Sequence, residues 1–283
     1  MERKKNESER EDSRPQRRFI TLDADHPGFR DPVYVRRRNE IARATQRYKG
    51  TINSIPVIRY TKREHGVWQS VFNKLEELNQ KFAYRKHREG MDVLRLGRKR
   101  IPQIKTLSKR LAKTTGFRMV PVEGLVHPRI FMESLADGVF LSTQYIRHHS
   151  KPGFTPEPDI IHEVIGHAPQ LNDPVIAAIT REIGEGARRA DDKKLKELER
   201  LYWFTIEYGV CKENGKLKAY GAGNLSSFLD IERCVSKAIR HEPFSVRKVV
   251  RIPYDPTKQA TVLFVVQSFE HALREIRAFV RKI

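Results

Sequence analysis

The sequence predicts a mostly α fold with a few short strands, on three observations. Apolar residues recur at helical spacing in five stretches, β-branched runs are few and short, and no repeat or low-complexity linker divides the chain. The first stretch, Gly66 to Arg88, carries Val67, Val71, Phe72, Leu75, Leu78 and Phe82 at a period of about 3.6 residues. Thr106 to Lys113 reads as a short amphipathic helix closed by Gly116. Asp173-Pro174 opens a third helix through Ile176, Ile179 and Ile183, with Pro174 in the first turn, where its missing N–H is harmless. A fourth runs from Asp191 to Tyr208 through Leu195, Leu198, Leu201, Tyr202, Phe204 and Ile206. The fifth runs from Ser268 to Lys282 through Phe269, Leu273, Ile276 and Val280. Extended pieces fit Phe117–Val122, Val249–Ile252 and Ala260–Val266.

A chain of 283 residues with 39% hydrophobic and 32% charged side chains can bury a sizeable core. Residues 1–18 hold twelve charged side chains and almost no apolar ones, so they read as a disordered charged arm and not as a secretory signal. One domain is expected from 19 to 283. No apolar run approaches the roughly 20 residues that span a bilayer. Cys211 and Cys234 cannot build a disulfide framework and lack metal-ligand spacing, which suits a reducing cytoplasm.

The formal net charge is +20. Between Tyr84 and Arg118 stand twelve Lys/Arg against Glu89 and Asp92, so this stretch carries half of the excess. A basic solvated face is the first reading. Nucleic-acid binding is a second one, without a zinc-finger spacing, an RNA-binding aromatic signature or a helix-turn-helix to support it.

Chemistry concentrates in Thr143 to His167, which contains His162-Glu-x-x-x-His167. Zinc peptidases space two histidines four apart, on one helix face. Five steps of an ideal helix rotate by about 140°. The two rings converge only if the helix is distorted or ends there, and Gly166 and Pro169 suit that. A third ligand must come from elsewhere. Glu207 lies in the nearly apolar run Leu201-Tyr-Trp-Phe-Thr-Ile-Glu-Tyr208, where an unpaired carboxylate is costly and a cation compensates it. Two imidazoles and a carboxylate on one face of Fe(II) leave three positions open, the facial triad of non-haem iron oxygenases.

The flanking segments extend this. Leu22-Asp-Ala-Asp-His-Pro-Gly-Phe-Arg-Asp-Pro-Val-Tyr34, Thr115-Gly-Phe-Arg118, Thr143-Gln-Tyr-Ile-Arg-His148, Thr155-Pro-Glu-Pro-Asp159, His162-Glu-x-x-Gly-His167, Tyr202-Trp-Phe-Thr-x-Glu207 and Ala219-Tyr-Gly-Ala-Gly-x-Leu-Ser-Ser-Phe228 stand in this order. In them the chain resembles the pterin-dependent aromatic amino acid hydroxylases, from Leu22 to the C-terminal helix.

The resemblance implies that family's catalytic domain, a helical basket with iron in a deep cleft, of the bacterial type. It implies neither the N-terminal regulatory domain nor the C-terminal tetramerisation helix of animal members, and hence a monomer or weak oligomer. Iron ligation falls on His162, His167 and Glu207. The amino-acid substrate falls to Arg147, held by Asp159, with Thr155, Trp203, Gly223 and Ser226. A tetrahydropterin, tetrahydrobiopterin or a relative, falls to Gly124, Leu125, Val126, Phe131, Glu163 and Tyr202. The implied reaction is ring hydroxylation by O₂, with phenylalanine the preferred substrate because Trp203 matches phenylalanine and tyrosine hydroxylases. Tyrosine, tryptophan, broad specificity and meta-hydroxylation of phenylalanine stay open, because Glu199, Tyr254-Asp-Pro-Thr-Lys258 and Ala260-Thr-Val-Leu-Phe264 depart from the family pattern and Leu141 holds a pocket-side position that varies with specificity.

Overall fold

The computed structural model describes residues 22–283 except 154, 257 and 259. The charged arm at 1–18 and the expected start of the domain at 19 lie outside the described residues. Helix α1 (Pro32–Thr45) starts where the Asp31 carboxylate accepts the Val33 and Tyr34 N–H groups, with Pro32 in the first turn. Helix α2 (Lys62–Phe82) opens on a Thr61/Glu64 capping box and buries Val67, Trp68, Val71, Phe72 and Leu75 along one face.

The helix expected over Gly66–Arg88 is broken in two. Ala83 N–H still closes α2 onto the Asn79 carbonyl, but Tyr84 N–H donates to Ala219 O at 3.0 Å, and α3 (Arg85–Val93) begins afresh. Tyr84 is buried against the rings of Tyr220 and Phe269. That burial outweighs the small propensity gain of continuing the helix.

Helix α4 (Ile104–Thr114) runs slightly longer than expected and gives way to Gly116 at φ +76°. Strand β1 (Arg118–Pro121), helix α5 (Pro128–Ala136) and strand β2 (Val139–Ser142) follow, with β1 and β2 parallel and Met119 opposite Phe140. A π-helical segment, His162–His167, runs into α6 (Ala168–Asn172). Helix α7 (Pro174–Arg189) is capped by Asp173, as the sequence suggests. It approaches α5 so closely that a Cβ on Gly184 would lie 2.3 Å from Ala136 N.

Helix α8 (Asp192–Tyr202) is shorter than the Asp191–Tyr208 expectation because a second π segment, Trp203–Glu207, takes over its end. Strands β3 (Val210–Glu213) and β4 (Lys216–Ala219) form a hairpin whose turn residues Asn214 and Gly215 have φ of 51° and 75°. Short helices α9 (Ala222–Leu225) and α10 (Asp230–Arg233) lead to strand β5 (Arg240–Pro243).

Val249–Ile252, expected to be extended, instead ends α11 (Val246–Val249) and turns away, with Val250 N–H on Val246 O. Val246, Val249 and Val250 are buried at helical spacing, and tertiary burial overrides their β preference. Strand β6 (Val262–Val266), buried throughout, sits between β3 and β5 in the order β4-β3-β6-β5, parallel to both neighbours. Helix α12 (Phe269–Val280) closes the described chain. One large apolar core reaches from α2 to α12, with a small satellite of Ile41, Ile58 and Tyr145. Among the described residues no helix is long and apolar enough to cross a membrane.

Candidate metal centre

The five-residue histidine spacing is resolved by the π segment. Its wider i→i+5 pattern, seen in Ala168 N–H donating to Glu163 O, brings residues five apart onto one face. His162 Nε2 and His167 Nε2 converge to 3.0 Å. The chain can wind this way because Gly166 has no side chain: a Cβ there would lie 2.8 Å from Ala222 O on α9. Glu207 ends the second π segment, where Tyr208 N–H likewise reaches back five residues to Trp203 O. Its Oε1 lies 3.0 Å from His167 Nε2 and its Oε2 3.5 Å from His162 Nε2.

These spacings fit one ion. Cis donors bound at about 2.1 Å to an octahedral cation stand about 3.0 Å apart. The donor set of two imidazoles and one carboxylate suits a divalent transition metal. Burial pushes the His162 pKa down to about 4, so its ring is neutral at neutral pH. Burial alone would raise the Glu207 pKa, but His167 and His162 hold it at about 2. For His167 burial acts downward, yet the Glu207 charge wins and the pKa rises. The Glu207–His167 pair thus shares a proton whose place a bound cation would take.

Ser226 decides the His162 tautomer. Its hydroxyl donates to Ala222 O at 2.7 Å, so towards His162 Nδ1, 3.0 Å away, it can only accept. The Nδ1 therefore carries the proton and Nε2 keeps its lone pair for the cluster. On the other ring, His167 Nδ1 and the neighbouring Gln170 Oε1 meet no strict hydrogen-bond geometry, although Gln170 helps raise the His167 pKa. The Gln170 amide N–H groups are spent on the Ile206 and Tyr220 carbonyls, which fixes its oxygen on the histidine side.

Arg147 and Asp159 form a buried pair, 4% and 0% exposed. Asp159 Oδ2 accepts from Arg147 N at 2.8 Å and Nε at 2.9 Å, while Oδ1 accepts from Arg147 Nη2 at 2.8 Å and His162 N at 3.2 Å. One carboxylate therefore holds both the arginine and a ring-bearing residue of the cluster. With Nη1 on Pro152 O at 3.3 Å, three of the five guanidinium N–H groups are engaged. Two remain for a ligand.

The other expected site residues divide. Phe131 packs edge-on against Tyr202 at 5.6 Å, and Tyr202 stacks on His167 at 6.4 Å. Glu163 lies beside the histidines, where Thr143 N–H and Oγ1 contact its Oε1 and burial raises its pKa to about 7. Gly124, Leu125 and Val126 lie in the loop between β1 and α5, with Leu125 exposed and open space beside Gly124. Trp203 stacks on Tyr254 at 4.6 Å and meets Tyr208 at 4.5 Å. Gly223 makes room for Tyr208, whose ring would lie 2.8 Å from an added Cβ. The Thr155 hydroxyl is spent on the Glu157 carbonyl, inside its own turn.

Two neighbours escape the sequence reading. The Phe140 ring lies 4.6 Å from His167, announced only by its place in a short apolar run. Gln170 was findable as a polar residue three positions after a candidate ligand, on the same helix face.

With this geometry in view, comparison with known proteins is direct. A tyrosine 3-monooxygenase of Schistosoma mansoni is 41% identical over 263 residues, which is 92% of this chain and 56% of that protein. The phenylalanine-4-hydroxylase of Rattus norvegicus is 41% identical over 266 residues, 93% of this chain and 58% of that protein. The chain thus spans a little over half the length of these relatives. A crystal structure of Chromobacterium violaceum phenylalanine hydroxylase, with bound iron(III) and oxidized cofactor 7,8-dihydrobiopterin, superposes with a TM-score of 0.78 at 25% identity, over 93% of each chain. The family model for biopterin-dependent aromatic amino acid hydroxylase matches residues 13–283, which takes in every side chain of the cluster, and the chain belongs to that family.

Proposed function

We propose that this chain is a monooxygenase that converts L-phenylalanine to L-tyrosine with O₂, Fe(II) and a tetrahydropterin, and that residues 19–283 are its catalytic unit. The observation that carries the reading is the His162–His167–Glu207 donor set joined through Asp159 to Arg147. Iron and the reduced pterin, when bound, supply the electrons that split O₂ and deliver one oxygen atom to the ring. His162, His167 and Glu207 are the proposed iron ligands, and Ser226 keeps His162 Nε2 available.

The two free N–H groups of Arg147 suit a substrate carboxylate held as a fork. Asp159 fixes that fork, so the amino acid is positioned relative to the cluster rather than merely captured. Thr155, Trp203 and Gly223 complete the substrate side in this reading. Trp203, backed by Tyr254, offers a flat apolar wall that keeps water from the ring. The pterin side comprises Gly124, Leu125, Val126, Phe131, Glu163 and Tyr202. Phe131 offers a face for a flat bicyclic ring, and Glu163 offers it a hydrogen-bonding carboxyl.

Phenylalanine is preferred because Trp203, packed on Tyr254 and Tyr208, offers an apolar wall suited to an unsubstituted ring. The test is product analysis with phenylalanine, tyrosine and tryptophan in the presence of Fe(II) and tetrahydropterin. Tyrosine formed only with both cofactors is expected. Turnover of tyrosine with none of phenylalanine would overturn the substrate. Folded protein that retains no iron after anaerobic loading would overturn the reaction class. Glu207→Ala is expected to abolish iron retention, and unchanged affinity would remove Glu207 from the ligand set.

A further inference from the structure

Part of the positive charge of this chain is gathered around one opening outside the cluster. A cavity of about 640 Å³ opens between the α3–α4 connection and the start of α4. Arg95, Arg98, Lys99, Arg100 and Arg110 line it, and no acid does. None of these residues belongs to the His162–His167–Glu207 site. The volume falls within the range of small-molecule sites.

Four of the other seven cations of the basic stretch are engaged outside the cavity, while Lys109, Lys113 and Arg118 do not line it. Arg85 pairs with Glu89, Lys86 with Asp173, Arg88 donates to Gln80 and Lys105 to the Asn53 carbonyl. Among the described residues the five cavity cations have no carboxylate partner. Five cations thus surround one opening.

The segment that holds these charges is anchored. Trp68 Nε1 donates to Gly97 O at 3.0 Å, Ile101 N–H donates to His65 Nδ1 at 3.2 Å, and Arg110 donates to Leu94 O. Arg95 is set at φ 49°, a left-handed backbone uncommon for a residue other than glycine, by hydrogen bonds that close α3. Like charges fixed side by side repel, and an anion between them relieves that repulsion. The N-terminal end of α4 adds to the same field: Gln103 lines the cavity but spends its amide on Ile58, leaving the helix without a side-chain cap or a first-turn acid.

We infer that this cavity is a binding site for a compact oligophosphate anion, recognised by guanidinium forks from Arg95, Arg98, Arg100 and Arg110. Its phosphate chain is the recognised element, whether it comes as inorganic tripolyphosphate or as the tail of a nucleoside triphosphate.

The test titrates inorganic tripolyphosphate, adenosine triphosphate and orthophosphate calorimetrically into the full chain. It compares the Arg98→Ala/Lys99→Ala/Arg100→Ala variant with a Lys193→Ala/Lys212→Ala/Lys237→Ala control of equal charge change. These positions are all solvent-exposed, so both variants keep the fold. Saturable one-to-one tripolyphosphate binding is expected, weakened about tenfold or more in the cavity variant and little in the control. Orthophosphate should bind more weakly. Equal affinity for adenosine triphosphate assigns recognition to the phosphate chain alone, and tighter binding adds a contact to the nucleoside; both support the site. Three results would overturn it: no saturable binding of tripolyphosphate, an equal loss in the control, or oligonucleotide binding that tripolyphosphate does not displace.

Discussion

Replacing Asp159 by asparagine tests how the substrate arginine is tied to the metal cluster. Asp159 accepts four hydrogen bonds, three from Arg147 and one from His162 N–H. Asparagine keeps the volume but turns one accepting oxygen into an NH₂ that faces two donors, and it removes the charge. The Arg147 guanidinium, 4% exposed, is then a buried cation without a counterion. Breaking one side of such a pair costs about 3–5 kcal/mol. That loss lowers the urea midpoint by roughly 1–2 M. Arg147 also loses the orientation of its remaining fork, so KM for the amino acid should rise by about tenfold or more. Combining Arg147→Met with Asp159→Asn should recover part of the stability lost by Asp159→Asn alone, because no unpaired charge remains. The Asp159 pKa is lowered: burial acts upward, but the Arg147 charge and hydrogen bonds outweigh it. The pair's stabilisation is therefore present above the unfolded carboxyl pKa, near 3.8, and is lost as pH falls through the folded value. A midpoint within about 0.3 M of the parent, with an unchanged KM, would refute the role given to Asp159.

Ser226→Ala removes the acceptor that fixes the His162 tautomer. Iron affinity should fall by about 10–100-fold with the fold intact, measured by competition with a chelator, and equal retention would sink the assignment. His87 is fully buried with neither ring nitrogen hydrogen-bonded, and burial pushes its pKa down to about 3. Its folded pKa lies below the unfolded 6.5, so stability is complete above 6.5 and drains as pH falls towards 3. At pH 5 this residue alone should cost about 2 kcal/mol, and His87→Phe should flatten the slope of urea midpoint against pH; an identical slope in both proteins would refute this. Cys211 and Cys234 are buried, the first with its pKa pushed up to about 12 and the second also raised. Neither should react with an aromatic disulfide reagent at pH 8 until the chain is unfolded, when both should; fast native labelling would contradict their burial.

The sequence was legible where one stretch of chain decides the outcome, and opaque where a distant partner does. Asp173-Pro174, the α12 stripe and the Val262–Val266 run carry their own signals, and each forms the expected element. The Asn214-Gly215 turn carries one too, yet a reading tuned to helical periodicity passes over its hairpin. The break at Ala83-Tyr84 depends on Ala219, and the winding around Gly166 depends on Ala222, so neither is written in its own neighbourhood. The same holds for Ser226. Its hydroxyl donates to Ala222 O and faces His162 Nδ1, a partner 64 positions away that its own neighbourhood does not name.

Both departures from α winding near the site fall on segments that bear candidate ligands. His162–His167 and Trp203–Glu207 each slip from α to π winding, which gives up regular hydrogen bonding to re-aim one side chain. An ideal α-helix would turn His167 about 140° away from His162. The same slip at Trp203–Glu207 sets Glu207 beside both rings and leaves Trp203 against Tyr254. The five-residue spacing that excluded a zinc-peptidase helix is therefore the local trace of a distortion that long-range packing sustains. Relaxing that packing, by a side chain at Gly166 for example, should disperse the three donors before it unfolds the domain.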